Sequence, residues 1–185
     1  MNSCLLIIDL QNDYFAGGPM ELVGIDEAAA NARLLLDEFR KKGAPVVHIR
    51  HISTRQGATF FLPDTDGSKI NPMVAPWEEE PVMVKNYPNS FRGTALSEWL
   101  RQRGVDTLVV CGAMSHMCID ATVRAAFDLG FNCIVAHDAC AARDLAFTGV
   151  TVKAADVHAS FMAALSAVFA RVISAKEIIE SIMIS

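Results

Sequence analysis

The sequence contains no long apolar run, and no stretch approaches the roughly 18 consecutive apolar residues that a membrane-spanning helix needs. It also lacks a basic run: 21 Asp and Glu outnumber 16 Lys and Arg, which gives a formal net charge of −5. A chain with this charge offers no evident surface for nucleic acid or for an anionic membrane. The start of the chain has no basic region typical of a signal peptide. We therefore expect a cytoplasmic protein that binds small molecules.

Cysteine is scarce, and its spacing excludes two kinds of structure. The five cysteines are Cys4, Cys111, Cys118, Cys133 and Cys140. Their odd number and the absence of a C-x-x-C pair argue against a disulfide framework and against a cysteine-rich zinc site. The glycines form neither a dinucleotide fingerprint nor a P-loop, since Gly112 is followed by Ala-Met-Ser-His-Met. We therefore expect reduced cysteines and no cofactor.

Short apolar runs, typical of strands buried in a parallel sheet, alternate with stretches of helical spacing. With 185 residues, of which 52% are hydrophobic, the chain can form one domain, residues 1–185, with a sizeable core. The predicted strands are residues 4–8, 44–52, 82–84, 108–111, 131–136 and 171–174, and the predicted helices are 26–42, capped by Asp26, 94–103, one from about 116, 154–169 and 176–182. This order predicts an α/β fold with a parallel sheet covered by helices.

Three chemically active side chains follow three of these strands: Asp9, Lys85 and Cys118. Because the carboxyl ends of parallel strands meet at one edge of a sheet, these side chains are candidates for a single site. Each also has a simpler interpretation: Asp9 as a turn cap, Lys85 as the first solvated residue, and Cys118 as a small buried residue. Asp138, which follows the fifth strand, is expected to be a structural cap.

The chemistry of the three groups is coherent. Cys118 is predicted in the first turn of a helix, where free N–H groups and the helix dipole favour a thiolate. A carboxylate can accept the thiol proton and deliver it to a leaving amine, while an ammonium favours the thiolate. The backbone N–H groups of Met114 and Cys118 are the predicted donors of an oxyanion hole.

Two histidines and a long connection complete the candidate features. His48 and His51 are three residues apart on a predicted strand, which places them on opposite faces and disfavours a shared metal ion. Residues 53–81 have no sustained periodicity, and loops of this length are often functional. We expect some of four loop aromatics to wall a small apolar pocket: Phe15, Phe60, Phe61 and Trp77. For the aromatics of the long connection, plugging of the core edge is an equal alternative. Arg50, Arg55 and Arg92 could each hold a substrate carboxylate.

Three ordered motifs resemble the isochorismatase-like cysteine hydrolases, which include nicotinamidases, N-carbamoylsarcosine amidohydrolase and streptothricin hydrolase. The motifs are Leu-Leu-Ile-Ile-Asp-Leu-Gln-Asn-Asp-Tyr-Phe at 5–15, Val-Lys at 84–85 with Asn-Ser-Phe at 89–91, and Val-Cys-Gly-Ala-Met-Ser-His-Met-Cys-Ile-Asp-Ala-Thr at 110–122. The resemblance implies a three-layer α/β/α Rossmann-like fold with about six parallel strands. It also implies an Asp9–Lys85–Cys118 catalytic triad and a cis peptide bond between Ala113 and Met114.

Two departures from the family narrow the expected reaction. Nicotinamidases carry an Asp-x-His metal motif on the second strand, where this chain has His-Ile-Arg-His, so we expect no metal. Members that cleave the vinyl ether of isochorismate commonly lack the cysteine, so its presence favours C–N bond hydrolysis of a small amide or ureide through a thioester. An isochorismatase-type ether hydrolase using Asp9 as acid, and a binding protein without turnover, remain as alternatives. We also expect a homo-oligomer, either a dimer or a tetramer.

Overall fold

A computed structural model describes residues 2–183 of the chain. The strands are β1 (Ser3–Ile8), β2 (Val46–His51), β3 (Val82–Lys85), β4 (Thr107–Ala113), β5 (Asn132–Ala141), β6 (Leu145–Phe147), β7 (Val150–Val152) and β8 (Arg171–Ile173). The α-helices are α1 (Ile25–Lys41), α2 (Leu96–Gln102), α3 (Asp120–Asp128), α4 (Ala154–Val168) and α5 (Ala175–Met183). No helix within residues 2–183 is both long and apolar enough to cross a membrane.

Six strands form one parallel sheet in the order β3-β2-β1-β4-β5-β8. The chain moves outward from β1 to β3 and then returns to the other side of β1 with β4, so the strand order reverses between β1 and β4. In open α/β sheets, ligands bind outside the carboxyl ends of the strands at such a reversal. The predicted parallel α/β sheet of about six strands is confirmed.

The sheet is buried on both faces because successive residues of its central strands point to opposite sides. On β1, Leu5 and Ile7 pack in a cluster with α1 and α5, whereas Cys4, Leu6 and Ile8 pack in a second cluster with α2, α3 and α4. Two helices therefore cover one face and three cover the other. This arrangement leaves the loops at the sheet edge free to build a site.

Three local predictions need correction. Helix α1 is preceded by Gly24 in a left-handed conformation, and Asp26 lies inside its first turn instead of capping it. Strand β5 continues to Ala141, beyond the predicted end at 136, because its later residues pair with the end of β4 after a register shift. The antiparallel hairpin of β6 and β7 was not predicted, because it is three residues per strand and largely exposed.

The predicted cap at Asp138 is present. Its Oδ1 accepts a hydrogen bond of 2.7 Å from the backbone N–H of Ala175, the first residue of α5. This satisfies one of the unpaired N–H groups at the start of that helix. Asp138 therefore has a structural partner and does not point to a second catalytic group.

Gly112 allows β1 and β4 to approach each other next to the site. Its φ of +123° lies in a region that favours glycine, and a Cβ there would overlap the carbonyl oxygen of Ile8. Ile8 and Gly112 are paired in the sheet, directly before Asp9 and the turn that carries Cys118. A glycine is therefore required at this position.

We expect Gly112→Ala to lower the free energy of unfolding by more than about 3 kcal/mol, since the two strands must separate to admit the methyl group. The control is Gly57→Ala, where φ is also positive, +75°, but no atom lies within 4 Å of the added Cβ. That variant should lose only about 1 kcal/mol. Equal losses for the two variants in urea denaturation would contradict the close approach.

Candidate active site

The three side chains that the sequence placed at strand ends meet in the structure. Asp9 follows β1, Lys85 ends β3, and Cys118 lies in a π-helical turn, Ser115–Ile119, that joins β4 to α3. Lys85 Nζ lies 2.6 Å from Asp9 Oδ2 and 3.2 Å from Cys118 Sγ. The residues are nearly inaccessible, with 0%, 1% and 5% of their surface exposed, respectively. The ammonium group thus connects a carboxylate to a sulfur in a space that is closed to bulk water.

The charges of this cluster are not those predicted for a resting thiolate. Burial raises the pKa of Cys118 above the ordinary thiol range, and Asp9 raises it further, while Lys85 acts in the opposite direction. Burial alone would lower the pKa of Lys85, but Asp9 and Cys118 raise it above its usual value. At neutral pH Lys85 is therefore an ammonium and Cys118 a neutral thiol. The prediction of a preformed thiolate was wrong, because burial and the neighbouring carboxylate outweigh the lysine.

Asp9 is arranged to accept the proton of that thiol. Its Oδ2 is taken by Lys85, whereas its Oδ1 is buried and has no hydrogen-bond partner among residues 2–183. A carboxylate oxygen of Asp9 and Cys118 Sγ lie within 4.8 Å of each other. The backbone of Asp9 is left-handed, with φ of 53°. A buried acceptor without a partner is costly, and such groups concentrate where function requires them.

The turn before α3 holds the sulfur at the sheet edge. The peptide bond between Ala113 and Met114 is cis, as the resemblance predicted. Ser115 is fully buried and donates a hydrogen bond of 3.1 Å to the carbonyl of Ala141. Met114 and Cys118, whose N–H groups are the predicted oxyanion donors, both line the adjoining cavity. The turn is therefore fixed to β5 from its first residues.

A cavity of about 740 Å³ opens beside Cys118. Six large side chains form much of its apolar wall: Tyr14, Met20, Phe60, Phe61, Met114 and Met117. Phe61 is only 1% exposed and lies between Tyr14 and Phe60, with ring centroids 4.6 Å and 5.0 Å away. Its N–H donates to the Asp13 carboxylate, which holds the loop against the sheet. The two interpretations of these phenylalanines, pocket wall and core plug, each apply to one residue. Phe61 belongs to the core, whereas Phe60 is half-buried at the cavity.

The predicted pocket residues Phe15 and Trp77 do not line this cavity. Phe15 is 8% exposed and packs in the core beneath the loop. Trp77 is 53% exposed and lies under the guanidinium of Arg40, 4.2 Å from its ring centroid, in a separate groove. The prediction for Phe15 was wrong because its ring is buried in the core, and that for Trp77 was wrong because the segment after residue 70 packs against α1 instead of remaining over the site.

The arginines are also distributed differently from the prediction. Arg55 lines the cavity, whereas Arg92 stacks on Tyr87 at 3.7 Å from the ring centroid and Arg50 lines two other grooves. Arg143, which the sequence analysis did not select, lines the cavity and has no carboxylate partner within residues 2–183. Its position after β5, at the same sheet edge as the other site residues, could have identified Arg143 as a candidate from the sequence. Two guanidinium groups, those of Arg55 and Arg143, thus line a mainly apolar cavity.

The two histidines of β2 lie on opposite faces, as predicted. His48 is fully buried and its Nε2 lies 3.0 Å from Glu80 Oε2. The Nδ1 of His51 lies 3.1 Å from Lys85 Nζ, so His51 belongs to the active site, which the sequence analysis missed. Asp9, His51 and Cys118 have the donor set of a metal centre. The ammonium of Lys85 is hydrogen-bonded to each of the three, so a cation of the chain already occupies their centre, and a metal-free site remains our prediction.

Comparison with known proteins identifies the family. The isochorismatase domain family matches residues 3–177. The isochorismatase family protein YddQ of Bacillus subtilis is 51% identical over 172 residues, which cover 93% of this chain and 96% of that protein. A crystal structure from Oleispira antarctica, assigned to the isochorismatase hydrolases, is 53% identical with a TM-score of 0.93 and covers 97% of this chain and 96% of that one. The chain belongs to the isochorismatase family and is a hydrolase of that family.

The names of some relatives state a substrate. Streptothricin hydrolase of Streptomyces noursei is 35% identical over 146 residues, which cover 76% of this chain and 50% of that protein. The matched region includes three quarters of the present chain. The family membership therefore fixes the hydrolase class, while the site itself must indicate the bond that is cleaved.

A cluster behind the site fastens the long loop to the sheet. Glu80 accepts hydrogen bonds from Arg40, His48 and the N–H of Trp77. Its pKa is lowered from 4.5 to about 2, since these hydrogen bonds outweigh the effect of burial. Burial lowers the pKa of His48 below 6.5, and Glu80 only partly offsets this.

These shifts predict how stability changes with pH. The Glu80 contribution is fully present above pH 4.5 and is lost as pH falls from 4.5 to about 2, because the unfolded chain binds the proton first. Neutral His48 adds stability that is lost as pH falls below 6.5. Glu80→Gln should therefore lower the melting temperature at pH 7 and flatten its decline below pH 4.5. Exposed Glu79→Gln is the control, and an unchanged acid decline in Glu80→Gln would refute the assignment.

The two phenylalanines of the loop should respond differently to truncation. Phe61→Ala is expected to lower the free energy of unfolding by about 3–5 kcal/mol, as a buried Phe does. Phe60→Ala should cost less stability and raise KM, because the half-buried ring walls the cavity. Chemical denaturation and steady-state kinetics on both variants check this. Similar stability losses, with unchanged KM in Phe60→Ala, would make both residues core.

Proposed function

We propose that the protein is a cysteine hydrolase that cleaves a C–N bond of a small amide or ureide through a thioester on Cys118. The observation that carries this proposal is the hydrogen-bonded chain from Asp9 through Lys85 Nζ to Cys118 Sγ, which lies at the wall of a mainly apolar cavity. A vinyl-ether hydrolase needs an acid but no sulfur. A nucleophile and its proton acceptor side by side suit acyl transfer.

The first half of the reaction forms the thioester. Cys118 Sγ attacks the carbonyl carbon while its proton passes to the free Oδ1 of Asp9. Lys85 remains an ammonium throughout and stabilises the negative charge that develops on sulfur. The backbone N–H groups of Met114 and Cys118 are the proposed donors to the oxyanion. Losing one such donor typically slows a reaction by about 10²–10³.

The remaining steps complete the thioester and then restore the enzyme. The tetrahedral intermediate collapses with cleavage of the C–N bond, and Asp9 gives its proton to the leaving nitrogen, which departs as an amine or ammonia. Water then attacks the thioester, Asp9 accepts a proton from that water, and the sulfur leaves and regains a proton. An amide gives a carboxylic acid and an amine or ammonia, whereas cleavage at a urea carbonyl gives a carbamic acid in place of the carboxylic acid. The thiol and the carboxylate return to their starting states. No cofactor is required at any step.

The cavity restricts the substrate to a compact molecule with an apolar body. Its wall is mainly aromatic and methionine side chains, and Arg55 and Arg143 supply two guanidinium groups that can pair with an anionic group of the substrate. We expect the enzyme to act in the reducing cytoplasm, since all five cysteines are free and buried. The homo-oligomer also remains a prediction.

The test combines a substrate panel with two variants. Small neutral and monocarboxylate amides and ureides are screened for ammonia release, and the active compound is then assayed with Cys118→Ala and Asp9→Asn. Both variants should lose turnover to background, and Cys118→Ala should keep the wild-type melting temperature within a few degrees because it removes one atom from a turn.

Three outcomes separate the alternatives. A Cys118→Ala protein that keeps more than about a tenth of the activity would sink the covalent route. Hydrolysis of isochorismate that depends on Asp9 and not on Cys118 would support the ether hydrolase. Folded wild-type protein that releases no product from any compound of either class would support a binding protein.

A further inference from the structure

His51 is held at the active site more firmly than a chance neighbour would be. It ends β2, and its backbone N–H and C=O are both hydrogen-bonded to the side chain of Gln11, at 2.7 Å and 2.9 Å. Gln11 is fully buried and also donates to the carbonyl of Ser68. The segment after β1 therefore fixes the end of β2 and the long loop together, and with them the position of the imidazole ring.

The contact with Lys85 determines which ring nitrogen of His51 carries the proton. A lysine ammonium has three donors and no acceptor, so the Nδ1 of His51, 3.1 Å from Nζ, must accept. The other two donors of Nζ go to Asp9 and Cys118. The proton of a neutral ring must then lie on Nε2. Burial and, next, the charge of Lys85 lower the pKa of His51, with Asp9 opposing, so the ring remains neutral at pH 7.

The second ring nitrogen, Nε2, is not used in the contact with Lys85. His51 lines the cavity, and its Nε2 makes no hydrogen bond to any residue from 2 to 183. Cys118 lines the same cavity, and one of the two ring nitrogens of His51 lies within 4.8 Å of its Sγ. A substrate whose carbonyl carbon is at the sulfur therefore has its neighbouring atoms within reach of the imidazole.

We propose that His51 has two roles: it positions Lys85 on Asp9 and Cys118 through Nδ1, and it donates from Nε2–H to the substrate. The second role rests on the proposed function and adds a feature of the substrate, namely a hydrogen-bond acceptor next to the scissile carbonyl, such as the second carbonyl of an acylated urea. The first role is a property of the resting protein. The two roles can therefore be tested separately.

The first test needs no substrate. In uniformly ¹⁵N-labelled full-length protein, the two ring nitrogens of His51, assigned by comparison with His51→Asn, should show the Nε2–H tautomer at pH 7 and above. Lys85→Met should release this constraint and give a mixture of tautomers. A wild-type ring that is protonated at Nδ1, or that already exchanges between tautomers, would overturn the positioning role.

The second test uses variants that preserve either the Nδ1 acceptor or the Nε2 donor of the imidazole. The amide oxygen of Asn can replace Nδ1 as acceptor, whereas the amide of Gln can replace the Nε2 donor but not Nδ1. The pH midpoint for alkylation of Cys118 by iodoacetamide should match wild type in His51→Asn and should rise by about 0.5 units or more in His51→Gln and His51→Ala, since a displaced ammonium stabilises the thiolate less. Identical midpoints in all three variants would contradict the positioning role.

Kinetics with the active amide then test the donor role. His51→Asn should reduce kcat/KM by about 10-fold, the effect of one lost hydrogen bond, with its alkylation midpoint unchanged. Unaltered kcat/KM in His51→Asn would overturn contact with the substrate and leave the positioning role standing. The control is His48→Asn, which changes a buried histidine of the same strand that faces Glu80. It should alter neither the alkylation midpoint nor the tautomer of His51.

Discussion

The ion pair of Asp9 and Lys85 is the interaction on which the rest of the site depends. Both side chains are completely buried, and removing an ion from water costs several kcal/mol even in a relaxed protein. The cost is offset by a contact of 2.6 Å and by further acceptors for the ammonium on His51 and Cys118. Loss of one partner would leave the other charge buried and unpaired, a change that typically costs about 3–5 kcal/mol. In the proposed reaction, Asp9 is the base that accepts the thiol proton, and Lys85 is the cation that stabilises the negative charge on the sulfur.

The fold supplies the conditions that this pair requires. The reversal of strand order between β1 and β4 places Asp9 next to the turn of Cys118, and Gly112 allows the close approach of the two strands. Lys85 reaches Asp9 from β3, which is two strands away from β1. Strand β2, with His51 at its end, therefore lies between the two residues. The loop that covers the site is fastened at one end by Asp13 and at the other by Glu80. The groups around Cys118 Sγ are thus positioned by contacts between residues that are far apart in the sequence.

The sequence predicted the strand ends that carry Asp9 and Lys85 well, ended β5 five residues too early, and predicted the loop paths poorly. Buried parallel strands have a strong local signature, so the alternation of elements and the positions of Asp9, Lys85 and Cys118 could be read directly, and the family motifs added the cis bond before Met114. His51 was set aside because its odd offset from His48 argued against a metal pair, yet the same offset directs it to Lys85. Trp77 was misplaced because no local pattern specifies where an irregular segment returns to the sheet. The pKa of Cys118 depends on burial, which no spacing reveals.

The most direct test of this account is detection of the acyl-enzyme itself. Wild-type protein mixed with the active amide is quenched in acid within one turnover, and the mass of the peptide that contains Cys118 is measured. The account predicts that this peptide gains the mass of the acyl group and that the adduct disappears as the acid product accumulates. Product formation at the full rate with Cys118 unmodified at every quench time would contradict it.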